Sequence, residues 1–367
     1  MKRLLWLDIS KGLAILFVAY FHFFRTYFEH GAIPPADWSG LATSALTILN
    51  LVWLKISGLG FHAVGVFIIL SGWTLMKSTT RRAESGAMHW GAWYRARFLR
   101  LYPMYWVAHL VYLFSPFVAR LEPVDSRIVL SLLGLRFIDI QMNFMYLNAA
   151  WWYFSMLIQL YLIFPLLFWA ARRLGAWKFL LIACGVGFFA RYLLLVVYPQ
   201  NGLWVLGGFA ICRLPEFALG MALGMWYSRS PARVESFLLS GAGFVTGLIL
   251  YPAALRLYDG IYNYIFVDFA TGACCFLEIA GIAGVITCFK GPAKILGLVG
   301  VFSYGLYLIH QPYVIWLGLR IRNQPIWMFL LIFAATLAVL SAWGIFLEKT
   351  TNTLVSKLFP AKKRARA

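Results

Sequence analysis

The chain has 367 residues, of which 62% are hydrophobic and 12% charged. That balance excludes an ordinary soluble domain, where about a quarter of residues carry charge. The formal charge of +19 would suggest a nucleic-acid partner if it formed one patch on a soluble domain. Here Lys and Arg fall mainly in short segments between apolar runs, which is a topology signal, and no nucleic-acid partner is expected.

Apolar runs of about 20 residues, each long enough to cross a bilayer core of about 30 Å, recur along the chain. They predict an all-α polytopic bundle with spans near 5–28, 58–77, 101–120, 151–171, 178–198, 203–228, 237–257, 263–289, 296–318 and 325–347. The basic segments fall on one side of these about ten transmembrane helices. They are Met1 to Arg3, Lys77 to Arg100, Arg172 to Lys178, Arg229 and Arg233, Lys290 and Lys294, and the final KKRARA. The positive-inside rule makes that side cytoplasmic and places both termini there. One membrane domain over 1–350 and a basic cytoplasmic tail over 351–367 are expected. The first run carries charges in its body and no small-residue cleavage site, so it reads as a retained span.

The opposite side is less regular. Residues 29–57 include an apolar stretch, LATSALTILNLVWL, that reads as interfacial, and residues 121–150 form a long loop with one short apolar helix. Arg120, Arg127, Arg136, Arg320 and Arg322 lie on this side against the rule, either as interfacial cations or as a surface for an anionic or hydroxyl-rich acceptor. The five cysteines lack metal-ligand spacing, and no metal site is expected.

Asp8, Lys11 and His22 interrupt the first apolar run. At about 100° and 1.5 Å per residue, the step from Lys11 to His22 is three turns and roughly 20° over, so the two share a face roughly 16 Å apart. Asp8 precedes Lys11 at ion-pair spacing. Ionisable groups inside a bilayer are costly and mark function by default. His22 reads as a general base for a hydroxyl, or as a histidine bonded to a neighbouring helix. Lys11 either pairs with Asp8 and snorkels, or holds an anionic substrate group.

Further along, Arg97-Phe98-Leu99-Arg100 precedes Tyr102-Pro103, and two arginines at a helix start either grip phosphates or anchor the helix. Ser71-Gly72 has the small-residue character of a helix-packing site. Ser155 and Gln159 share a helix face, to line a polar cavity or bond across helices, and Arg213 and Glu216 are spaced as an intramembrane ion pair. Arg191, Asp268 and Glu278 are further charges in apolar runs with no partner assignable from spacing. His310-Gln311-Pro312 places a second histidine deep in a span. Walker, dinucleotide-binding, zinc-protease and nucleophile-elbow motifs are missing.

Together these motifs resemble the membrane-bound acyltransferase-3 family of bacterial acyltransferases, over nearly the whole chain. Asp8 to His22 is similar to its signature of a basic residue, ten spacers and a histidine. Phe67 to Gly72 resembles its LSG segment, Arg97 to Arg100 its Arg-x-x-Arg motif before Tyr-Pro, and Arg213-Glu216-Phe217-Gly220 its R-x-x-E-F-x-x-G helix. Ser303 to Pro312 resembles its SYxLYLxHxP segment. Two departures stand out. Leu157 and Ile158 replace the glutamates that often follow the family's serine, although Ser155, Gln159 and Tyr161 remain. Lys11 stands where arginine is common, keeping charge but losing the planar fork.

The resemblance implies a multi-pass bacterial inner-membrane enzyme that moves an acyl group, usually acetyl, from cytoplasmic acyl-CoA to a glycan hydroxyl. It implies no permanently bound cofactor. Arg97, Arg100, Tyr102 and Lys11 would hold the donor. His22 would act as base, with Lys11, Asp8 and His310 in the catalytic set. Ser71, Ser155, Gln159, Tyr161, Arg213 and Glu216 would face substrate. A transporter or flippase of lipid-linked glycan is the competing reading, weakened by the lack of an internal repeat.

Overall fold

The structure, a computed structural model, describes residues 4–28, 45–86, 88–118, 123–200, 202–322 and 324–360, with backbone alone for 27, 28, 45–57 and 326. All regular structure among them is helical. Helices α1 (Leu5–Phe28), α2 (Ala45–Glu84) and α3 (Trp90–Phe114) come first. Short helices α4 (Arg127–Leu133) and α5 (Ile140–Asn143) precede α6 (Trp152–Leu174) and α7 (Ala176–Tyr192). Then come α8 (Leu214–Arg229), α9 (Pro231–Leu238), α10 (Gly241–Leu255), α11 (Ile261–Tyr264) and α12 (Val267–Ile286). Helices α13 (Lys290–Val301), α14 (Ser303–Ile321) and α15 (Ile326–Leu358) complete the chain.

Among the described residues, six helices are long and apolar enough to cross a membrane, and eight spans result if each of two bent pairs counts once. The pairs are α9 with α10, bent by 53°, and α13 with α14, bent by 81°. The other two of the ten expected spans map onto less uniform elements. Helix α3 carries Arg95, Arg97 and Arg100 in its first turns and Pro103 within it. The expected continuous span 203–228 is interrupted: a π-turn over Trp204–Gly208 and a 3-10 turn over Ala210–Arg213 lead into α8. Gly207 and Gly208, with Pro215 at the start of α8, account for the break, because they are weak helix formers and a prolyl nitrogen cannot donate.

The stretch expected to lie in the interface after residue 44 is instead the first part of α2, whose 40 residues span about 60 Å. Helix α15 likewise runs through position 351, where a tail was expected. Residues 29–44, Met1 to Arg3, Arg120 and the KKRARA segment lie outside the described residues.

The small-residue reading of Ser71-Gly72 matches the packing of α2 on α8. A Cβ on Gly72 would strike the Phe217 carbonyl, and one on Gly220 would strike that of Ile69. At the basic end, Glu235 of α9 accepts hydrogen bonds from Trp6 Nε1 and Tyr227 Oη, both 3.1 Å. Trp6 meets Trp73 edge-on at 5.4 Å, and Lys77 sits over the Tyr227 ring. The start of α1 and the ends of α2 and α8 therefore form one layer.

The described part, 123–150, of the segment expected as an outer loop packs against α3. Tyr102, Tyr105 and Trp106 donate to the carbonyls of Leu133, Ser131 and Leu132. Arg136 is fully buried beneath it, with Nη1 donating to the Tyr146 carbonyl at 2.8 Å and Nη2 to Ser131 Oγ at 2.6 Å. That overturns its reading as an interfacial or acceptor-facing cation: its guanidinium satisfies backbone that would otherwise be orphaned. Arg127 pairs with Asp125 at 2.8 Å, and Arg320 lies over the Trp316 ring.

Candidate active site

Of the polar face expected on α1, His22 lines a cavity of about 430 Å³, whose lining includes neither Asp8 nor Lys11. His22, Arg25 and Thr26 of α1 line it, together with His62 of α2, Trp152, Arg213, Asp268 and Gln311. Because α1 begins at the basic end and His22 lies in its last third, the cavity belongs to the opposite half of the molecule.

His22 and His310 stand 5.4 Å apart between ring centroids. Hydrogen bonds fix the tautomer of His310. Its Nδ1 lies 2.7 Å from the Tyr307 carbonyl, which can only accept, so the proton is on Nδ1 and the lone pair on Nε2. That Nε2 is buried and has no hydrogen-bond partner among the described residues. Leaving an acceptor bare in an apolar interior costs about 1–3 kcal/mol, which marks the atom as functional.

Gln311 orients the other ring. Its Oε1 accepts from the Ala150 amide at 2.6 Å, so its Nε2 faces His22 Nδ1, at a long 3.4 Å. Segment 148–151 holds this arrangement in place: Trp151 Nε1 and Asn148 Nδ2 donate to the Leu308 carbonyl, and the Tyr307 hydroxyl to that of Ala150. His62 is different, because both its nitrogens meet phenols, Tyr251 at 2.7 Å and Tyr258 at 2.9 Å. It is a held residue rather than an available base.

Arg191 and Asp268, two of the three charges left unassigned by spacing, join Arg213 and Glu216 in one cluster at the cavity wall. Asp268 Oδ1 lies 3.0 Å from Arg213 Nη1, and Oδ2 lies 2.6 Å from Arg191 Nη1. Arg213 Nε approaches Glu216 Oε1 at 2.9 Å, as the spacing predicts, although the contact is misaligned for a hydrogen bond. Two cations meet two carboxylates, which makes this burial tolerable. Gln159 supports the cluster from below. Its Nε2 donates to the Gly208 carbonyl at 3.1 Å and its Oε1 accepts from the Ala210 amide at 3.2 Å, so it repairs the broken backbone that presents Arg213.

Of the remaining expected residues, Lys11, Ser71, Tyr161, Arg97 and Arg100 lie toward the basic end, whereas Ser155, in the first turn of α6, and Tyr102, whose ring meets Phe154, lie nearer the histidine half. Lys11 Nζ is 4.0 Å from Asp8. Ser71 Oγ and the Tyr161 hydroxyl are 3.1 Å apart, and the Tyr161 ring meets Trp93, over which Arg97 is placed. Arg97 Nε has no hydrogen-bond partner among the described residues. Arg100 is committed elsewhere: its Nη2 lies 2.7 Å from Glu348, whose second oxygen accepts from the Gly305 amide at 2.7 Å. Tyr102 donates to the Leu133 carbonyl, and Ser155 Oγ is buried without a hydrogen-bond partner among the described residues. Spacing arguments missed Glu348, Arg25 and the role of Gln311. The available signals are a carboxylate at the end of a long apolar run for Glu348 and a cation within the first expected span for Arg25.

The two regions are joined along α2. Between Leu59 and Met76 that helix is mostly buried, but Val64, Phe67, Ser71 and Thr74 are partly accessible, each three or four residues after the last. With Ser78 they form a stripe from the cavity to Arg81 and Arg82.

No curated protein and no solved structure gave a match to the chain. The acyltransferase-domain family model of the acyltransferase-3 group matches residues 4–343. The chain is a multi-pass membrane acyltransferase and belongs to the acyltransferase-3 family.

Proposed function

We propose that the protein transfers an acyl group, acetyl in the simplest case, from cytoplasmic acyl-CoA to a hydroxyl of an exported or cell-surface glycan in the bacterial inner membrane. The observation that carries this reading is the pairing of His22 with His310 at a cavity that also receives Arg213 and Asp268. The acceptor hydroxyl takes the place of the long Gln311 contact and gives its proton to His22 Nδ1. Its oxygen attacks the thioester carbonyl, the tetrahedral intermediate expels the CoA thiolate, and the proton returns to sulfur. One C–S bond breaks, one C–O bond forms, and the proton count closes. His310 Nε2 receives the proton that His22 releases from its own Nε2, so charge never rests on the cavity ring alone.

Arg97 and the Arg81–Arg82 end of α2 hold the CoA phosphates on this reading, with the pantetheine arm along the α2 stripe. Ser71 and Tyr161 flank that arm, and Lys11 stays with Asp8. Arg213 and Asp268 meet the acceptor, where a cation and a carboxylate side by side suit neighbouring sugar hydroxyls. Purified protein in liposomes, given acyl-labelled acetyl-CoA, tests the class. Donor consumption stimulated by a crude polysaccharide extract supports acyl transfer, whereas glycan translocation without donor consumption would replace it with the flippase reading.

A further inference from the structure

A second cavity, of about 680 Å³, lies between α7, α8, α9 and α12 and takes no part in the chemistry above. Its walls are apolar, with Leu219 and Leu223 from α8 facing Phe276 and Leu277 from α12. One end is cationic: Arg229 and Arg233 line it, both exposed, and no carboxylate lines it among the described residues. The nearby Glu235 is engaged with Trp6 and Tyr227. From Leu219 to Arg229 is about 15 Å of helix, half of a bilayer core of about 30 Å, so the groove is one leaflet deep. Trp177 and Trp226, whose rings are 4.6 Å apart, stand near the same end, as interfacial aromatics do.

We propose that this groove binds an anionic phospholipid of the cytoplasmic leaflet, its phosphate between Arg229 and Arg233 and an acyl chain along α8 and α12. An apolar slot one leaflet deep fits the chain, and two cations at its headgroup end select negative charge over a zwitterion. The basic residues belong to the loop that the positive-inside rule assigns to the cytoplasm, which fixes the leaflet.

The test uses delipidated full-length protein incubated with phosphatidylcholine vesicles containing phosphatidylglycerol, then re-isolated, with retained lipid counted by native mass spectrometry. Wild type retains phosphatidylglycerol in preference to phosphatidylcholine. The Arg229→Gln/Arg233→Gln variant changes only exposed side chains and binds it about thirtyfold more weakly. Leu223→Trp fills the slot without altering charge and also loses it. Equal retention of both lipids, or unchanged retention in the two variants, would overturn the proposal. So would displacement of phosphatidylglycerol by palmitoyl-CoA with the same arginine dependence, because the groove would then be a donor site.

Discussion

The imidazoles of His22 on α1 and His310 on α14 stand 5.4 Å apart, and the bonds around them assign opposite roles to their Nε2 atoms. The Tyr307 carbonyl leaves His310 Nε2 as a bare acceptor, while the Gln311 amide leaves His22 Nε2 as the protonated nitrogen. A donor and an acceptor thus sit on adjacent rings that are not hydrogen-bonded to each other, and a proton relay needs them to close to bonding distance.

Replacing His310 by Phe keeps the volume and removes the bare nitrogen. We expect kcat to fall by about 10²–10³, with the melting temperature in detergent nearly unchanged. Because the rings act as a unit, His22→Ala/His310→Phe should be no slower than the worse single variant. Additive losses in that kinetic cycle would mean that the rings work independently.

The two arginines of the Arg-x-x-Arg motif separate in function. Arg97→Ala should raise the acyl-CoA KM with little loss of stability. Arg100→Ala strands the buried Glu348 carboxylate and should destabilise the protein by about 2 kcal/mol, a value held below that for a fully buried pair because Arg100 is itself exposed. Arg100→Met/Glu348→Met should recover most of that loss. Denaturation midpoints and donor saturation curves check both halves, and equal KM effects from the two arginines would count against the division.

Gln159→Leu removes the partners of the Gly208 carbonyl and the Ala210 amide, each worth about 1–3 kcal/mol if left unmet. The break that presents Arg213 then relaxes. Acceptor KM should rise by about tenfold or more while donor KM holds; the reverse pattern would place Gln159 on the donor path.

Asp125 supplies a pH dependence outside the membrane. Hydrogen bonds from Arg127 hold its carboxyl below the usual 3.8. A depressed folded value stabilises above the unfolded pKa and loses that contribution as pH falls through the folded one. The protection factors of the α4 amides, which correct exchange for its intrinsic pH dependence, should therefore be constant above about pH 5 and fall below about pH 4, and Asp125→Asn should abolish that step. An unchanged acid step in the variant would assign it to another group.

Local spacing carried much of this architecture. The shared face of Lys11 and His22 and the Arg213–Glu216 pair follow from helical periodicity, and the Ser71-Gly72 packing site from residue size, both of which a sequence displays directly. The bonds of Asp268 to Arg191 and Arg213, and of Glu348 to Arg100, join separate helices, and no period in the chain encodes them. Arg136 misleads for the same reason: its partners are backbone carbonyls and the hydroxyls of Ser131 and Tyr105, none of which spacing singles out. The interruption at 204–213 was visible as Gly207, Gly208 and Pro215, but apolar composition outweighed it in reading one continuous span.

The central claim, that His22 takes the acceptor proton during acyl transfer, is tested most directly by the turnover of His22→Ala in proteoliposomes with labelled acetyl-CoA and polysaccharide acceptor. The account predicts loss of at least about 10²-fold in kcat with the fold intact by melting. Wild-type turnover in a folded His22→Ala protein would contradict it.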